Sequence, residues 1–217
     1  MQRLRAFGLP SALLLALVCA CSSMYYGTME KFGVYKRDIL VDRVEEARDA
    51  QKEAKEQFRS ALAAFRQVAG FEGGELEDLY ERLQTEYERS EDRVGDVHER
   101  IESIEKVSGD LFDEWKDELG EIKDADLRRK SNAQLDETRE RYGELIDSMR
   151  RAEKKMQPVL VAFHDHVLFL KHNLNARAIA SLQGKLPEIE DDVEALIRDM
   201  ESSIAEADEF IGNLEAE

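Results

Sequence analysis

The fold is decided by the stretch Leu76–Trp115, which reads LEDLYERLQTEYERSEDRVGDVHERIESIEKVSGDLFDEW. Twelve positions in it follow one another at alternating spacings of four and three, and ten of them are apolar. This pattern is typical of a long helix that packs in a coiled coil or bundle. The seam consists of Leu76, Tyr80, Leu83, Tyr87, Ser90, Val94, Val97, Ile101, Ile104, Ser108, Leu111 and Trp115.

The same spacing continues on both sides of this helix, which we expect to run from about Glu75 to Lys123. A first helix is predicted from about Met24 to Ala69, with a seam from Leu40 to Val68 that only Gln51 interrupts. A third is predicted from about residue 124 to residue 183, with a kink at Pro158 because proline lacks a backbone donor. Glycine and polar residues predict turns near 70–74, 124–126 and 184–187.

The fold class predicted from these helices is all-α. Proline at position 187 suits the first turn of a fourth helix, whose two apolar stripes favour contact with two neighbours. Short turns between long helices make neighbours antiparallel. We therefore expect an elongated antiparallel bundle or coiled coil, with three long helices and a shorter C-terminal helix, in a single domain over residues 28–217.

The N-terminus has the arrangement of a bacterial export signal. Arg3 and Arg5 precede an apolar run at 12–18, which ends in Val18-Cys19-Ala20-Cys21. The motif resembles the lipobox of bacterial lipoproteins, which implies a signal peptide at 1–20, lipidation of Cys21 and a short tether at 21–27. The apolar run is shorter than the roughly 20 residues of a membrane span, so a transmembrane anchor is not expected. The alternative is an unlipidated secreted protein cut after residue 20. Ser22 resembles the outer-membrane sorting signal of such lipoproteins, which implies the periplasmic face of that membrane.

Composition excludes several function classes. The net charge of −17 disfavours nucleic-acid binding, which requires clustered Lys and Arg. The chain has no GxxxxGK[ST] loop, HExxH or GxSxG motif. We therefore expect neither enzymatic activity nor a cofactor, and membrane contact only through the lipid.

One stretch differs from the rest of the chain. Residues 159–163 and 167–170 are apolar on almost every side of the helix, which predicts that the other helices bury them completely. A surface for a partner helix or a second copy is the alternative. His166, Asn173 and Arg177 continue the seam and predict a buried polar layer. A recognition site is the alternative, and it would include Leu168, His172 and Asn175.

Metal binding is not expected in this stretch. His164 and His166 are two residues apart, whereas helical zinc motifs place their histidines at i and i+4. Two residues apart on a helix point to different faces.

Several segments resemble the bacterial family known as domain of unknown function 2959. They are Leu168–Ile179, Leu111–Trp115, Met149–Glu153 and the start at Met24-Tyr25-Tyr26. The resemblance implies a helical envelope lipoprotein and transfers no catalytic residue. We expect a non-catalytic structural or adaptor protein of the periplasm, which contacts other envelope proteins or itself. A regulatory or ligand-binding module around His166, Asn173 and Arg177 is the alternative.

Overall fold

A computed structural model describes residues 35–216, and these residues form four long α-helices and no strand. The helices are α1 (Lys36–Ala69), α2 (Leu76–Leu119), α3 (Ala125–His172) and α4 (Ala176–Ala216). Each helix packs along its chain neighbours and α4 packs back on α1, so the order around the bundle is α1-α2-α3-α4. The all-α bundle predicted from the sequence is confirmed. The signal peptide, Cys21, the tether and the predicted helix start near Met24 lie outside the described residues.

The predicted seams face the core. All nine seam positions of α1 from Leu40 to Val68 are buried, including Gln51, and so are all eight of α4 from Ile189 to Leu214. Residues of all four helices form the main core. Phe65 of α1 meets Phe163 of α3 across it, with ring centroids 6.1 Å apart. The heptad spacing therefore predicted correctly which face of each helix is buried.

The predicted turn at 184–187 is wrong, and the C-terminal helix begins at Ala176, earlier than predicted. α3 ends at His172, and α4 runs for 41 residues with Gly184 and Pro187 inside it. Leu182 and Ile189 on either side of Pro187 are both buried. Their packing outweighs the cost of a proline in a helix, about 3 kcal/mol. The other two linkers, 70–75 and 120–124, lie at or beside the predicted turns.

The two ends of the bundle differ in structure. Lys36 pairs with Glu114 at 3.0 Å, so among the described residues the end of α2 and the first turns of α3 continue past Lys36 as a two-helix extension. A second small core of Phe112, Leu119 and Leu135 holds this extension together. We call this the hairpin end (Lys36, residues 111–138 and Leu214). The opposite end, formed by residues 66–80 and 164–186, is the turn end.

Candidate functional site at the turn end

Helix α3 carries an exposed apolar face at the turn end. Val159, Leu160, Phe163, Val167 and Leu170 are buried, as predicted. The prediction that this stretch is buried on every side is nevertheless wrong, because the other helices cover only one of its faces. Large apolar side chains remain exposed on the outer face and in the following turn. They are Val161 (49% exposed), Leu168 (47%), Phe169 (41%) and Leu174 (38%), and we call them the apolar patch.

Of the predicted polar-layer residues, only His166 faces the interior of the bundle. Its ring packs edge-on against Phe65, with centroids 5.2 Å apart. Burial holds the pKa of His166 below its ordinary value, against the opposing field of Asp165. This histidine is therefore a neutral packing residue under ordinary conditions. The His164 ring instead lies beside the Tyr87 ring of α2, with ring centroids 5.5 Å apart.

The two asparagines of the stretch shape the turn. The Asn173 side-chain amide donates to the Phe169 carbonyl oxygen at 2.9 Å. The Asn175 side-chain oxygen accepts from the backbone N–H groups of Arg177 at 3.0 Å and Ala178 at 3.2 Å, and it thereby caps α4. The prediction of a buried polar layer through Asn173 and Arg177 is wrong, because α3 ends at His172 before the seam reaches them.

The helix ends and linkers that close the turn end carry charge of opposite sign on its two edges, whereas Arg66 and Asp165 lie further back along the helices. Lys171, His172 and Arg177 are exposed on the α3–α4 side. Glu72, Glu75, Glu77 and Asp78 are exposed on the α1–α2 side. Within residues 35–216, none of these seven groups takes part in a salt bridge. We call the first group the basic edge and the second the acidic edge.

An ionic network joins α2 to α3 near the middle of the bundle. His98 Nδ1 lies 2.5 Å from Glu153 Oε1, and His98 Nε2 lies 3.2 Å from Glu102 Oε1. Arg150 contacts Glu153 at 2.8 Å and Glu105 at 2.5 Å. The hydrogen bond to Glu153 raises the pKa of His98. Burial raises the pKa of Glu153, but hydrogen bonds from Arg150 and His98 outweigh it and hold that pKa below its ordinary value.

A polar pair lies inside the core between α1 and α4. Gln51 and Ser203 are both 0% exposed, and neither side chain has a hydrogen-bond partner among the described residues. The ion pairs Arg48–Asp208 and Lys55–Glu201 flank them on the surface, so they share one stretch of the interface. The sequence showed Gln51 as a polar interruption of the seam, but the heptad spacing carries no sign that its amide is left unpaired.

A wide cleft of about 760 Å³ opens at the hairpin end between the start of α1, the end of α2 and the start of α3. Its wall includes Tyr35, Glu114 and Trp115. The Trp115 indole donates to the Ser131 hydroxyl at 2.9 Å, which ties the two helices of the extension together. The cleft thus combines aromatic surface with charge at the end where α1 begins.

Residues 35–216 contain no group of three or more His, Cys, Asp or Glu side chains placed to hold a metal ion. Among the same residues, no helix combines the length and apolar character that a membrane span requires.

Comparison with known proteins places the chain in a family. No curated protein matches it, and no solved structure matches it. The family profile described as "Protein of unknown function (DUF2959)" matches residues 25–214, which include all but the first and last few residues of the chain beyond the predicted signal peptide. The chain therefore belongs to the DUF2959 family.

Proposed function

We propose that this protein is an envelope lipoprotein that works as a non-catalytic structural or adaptor spacer on the periplasmic face of the outer membrane. The observation that carries the proposal is the position of the two ends. The first described helix begins at Lys36, at the hairpin end, and the exposed apolar patch lies at the turn end. A lipid on Cys21 would hold the first end near the membrane and leave the second available to a partner.

The dimensions suit a spacer. At about 1.5 Å per residue, the 34 residues of α1 span roughly 51 Å and the 48 residues of α3 roughly 72 Å. Ion pairs between neighbouring helices, such as Arg66–Glu190 at 2.6 Å and Arg100–Glu46 at 2.9 Å, lie along the surface of the bundle. Four helices packed side by side resist bending more than one, so displacement at one end is transmitted to the other.

The lipid anchor is tested by metabolic labelling with palmitate and by fractionation of cells that express the full chain. We expect label and outer-membrane recovery for the wild type, and loss of both for Cys21→Ser. Cys19→Ser is the matched control, because that residue lies within the predicted signal peptide, and it should keep the label. A labelled Cys21→Ser variant, or an unlabelled wild type, would remove the anchor from the proposal.

The adaptor role is tested by photo-crosslinking in cells. A crosslinking amino acid at Phe169 on the apolar patch should form adducts with a protein of the envelope. The matched control is Leu127, which is 58% exposed at the hairpin end. Adducts at Leu127 with none at Phe169 would contradict a partner site at the turn end.

A further inference from the structure

We propose that the turn end is a self-complementary surface through which two copies of this chain pair about a two-fold axis. The inference begins with the two edges already described. Lys171, His172 and Arg177 form one edge, and Glu72, Glu75, Glu77 and Asp78 form the other. Because α3–α4 and α1–α2 are opposite sides of the four-helix ring, the two edges face each other across the end of the bundle.

The two-fold axis is perpendicular to the helices and runs across the end along the line that separates the two edges. Rotation about this axis brings each acidic edge opposite the basic edge of the other copy. A closed two-fold contact uses the same surface on both chains, so each complementary pair of edges occurs twice. Complementary charge of this kind selects the partner and fixes its orientation. The Lys171 and Arg177 side chains have no salt bridge within the described chain and are available for this contact.

Apolar contact supplies the second part of the interface. Phe169 and Leu174 belong to the apolar patch and lie beside the basic edge. Protein–protein contacts usually combine an apolar part with a charged and polar rim. A second copy covers them, and it neutralises both edges at the same time.

Charge also decides against an anionic lipid surface as the occupant. Basic residues beside exposed aromatic and aliphatic side chains are suited to such a surface. The acidic edge, however, lies on the same end and would be driven against the anionic headgroups. A second copy satisfies both edges, whereas a lipid surface satisfies only one.

The pairing deepens the proposed spacer function. Only the biological use of the turn end rests on that function. The association itself is a property of the purified chain. Failure of palmitate labelling would remove the spacer role and leave dimerisation intact. Failure of dimerisation would leave the anchor in place and remove the second copy as the partner.

The test is sedimentation velocity of the full chain in density-matched detergent over a range of concentrations. Glu72→Lys, Glu75→Lys and Glu77→Lys together leave only Asp78 acidic on that edge and make both edges basic, and Lys171→Glu with Arg177→Glu makes both acidic. We expect the wild type to dimerise and each reversed variant alone to dimerise at least about tenfold more weakly. An equimolar mixture of the two should recover the wild-type affinity, because each altered edge then meets its complement.

The mixture also separates lost pairing from lost folding, since misfolded chains would not recover. Lys123→Glu with Lys130→Glu is the matched control, because it reverses two exposed cations at the hairpin end. This control should dimerise as the wild type does. A monomeric wild type, an equal effect of the control, or an unrecovered mixture of variants whose circular dichroism shows the wild-type helix content would overturn the proposal. So would lipid binding in place of pairing, seen as flotation of the Cys21→Ser chain with phosphatidylglycerol vesicles that Lys171→Glu with Arg177→Glu abolishes.

Discussion

Replacing Gln51 by leucine is expected to stabilise the bundle. The Gln51 side chain is 0% exposed at a seam position of α1, and neither its oxygen nor its nitrogen has a hydrogen-bond partner among the described residues. Leucine has a similar volume and suits a heptad seam. The substitution therefore removes an unpaired amide and leaves the packing nearly unchanged.

The expected magnitude follows from the cost of burying such a group. An unpaired amide in a protein interior costs about 1–3 kcal/mol, so the free energy of unfolding should rise by that amount. For a chain of this size, each kcal/mol raises the midpoint of thermal unfolding by about 2–4 °C. Gln57→Leu is the matched control six residues along α1. The Gln57 amide donates to the Glu86 carboxylate at 2.8 Å and to its backbone oxygen at 3.0 Å, so its loss should destabilise by about 1 kcal/mol.

Urea unfolding followed by circular dichroism measures both variants. We expect the midpoint to rise for Gln51→Leu and to fall for Gln57→Leu, with the slope unchanged. Gel filtration should show that Gln51→Leu keeps the oligomeric state of the wild type, since polar seam residues can also select the number of packed helices. A lower midpoint for Gln51→Leu would refute the reasoning, because it would show that the amide has a favourable partner such as an internal water molecule.

Three further predictions concern other parts of the bundle. Phe163→Ala should destabilise it by about 3–5 kcal/mol in urea because Phe163 is wholly buried, whereas Phe169→Ala on the apolar patch should change stability by less than about 1 kcal/mol. Because the pKa of His98 is raised in the folded chain, its ion pairs should stabilise the bundle fully below pH 6.5, the ordinary pKa of histidine, and this stabilisation should be lost as pH rises through the raised pKa. Glu153→Gln should lower the pKa of His98 in an NMR titration, and an unchanged pKa would contradict the assignment. Gly184→Ala should raise the thermal midpoint by the equivalent of about 1 kcal/mol, since an added Cβ meets nothing within 4 Å inside α4, whereas destabilisation would indicate a turn there.

Local sequence signals were sufficient where helices pack along continuous seams. The spacing of apolar residues from Leu40 to Val68 identified the buried face of α1 at every position. Residues that pack together on one helix face recur every three or four positions, whatever the neighbouring helix is. The same logic placed Phe163 and Leu170 in the core.

The predicted turn between α3 and α4 was misplaced because two places in the sequence have turn signals. Only the packing of the helices decides which of the two becomes the turn. Gly184 and Pro187 disfavour a helix locally, yet buried neighbours on both sides keep α4 continuous through them. The actual turn at 173–175 is formed by Asn173 and Asn175, whose side chains bond to nearby backbone groups. Asparagine commonly makes such bonds in turns and at helix caps, so a signal was present, but the seam appeared to continue through it.

The sequence by itself determined that the chain is helical and which face of each helix is apolar, because both depend on periodicity along the chain. It also carried the resemblance to the family. Only the tertiary structure decided the order of the helices around the bundle, the exposure of Leu168 and Phe169, and the placement of acidic and basic residues on opposite edges of one end. These features depend on which surfaces meet after residues far apart in the chain have packed together, and no local pattern contains that information.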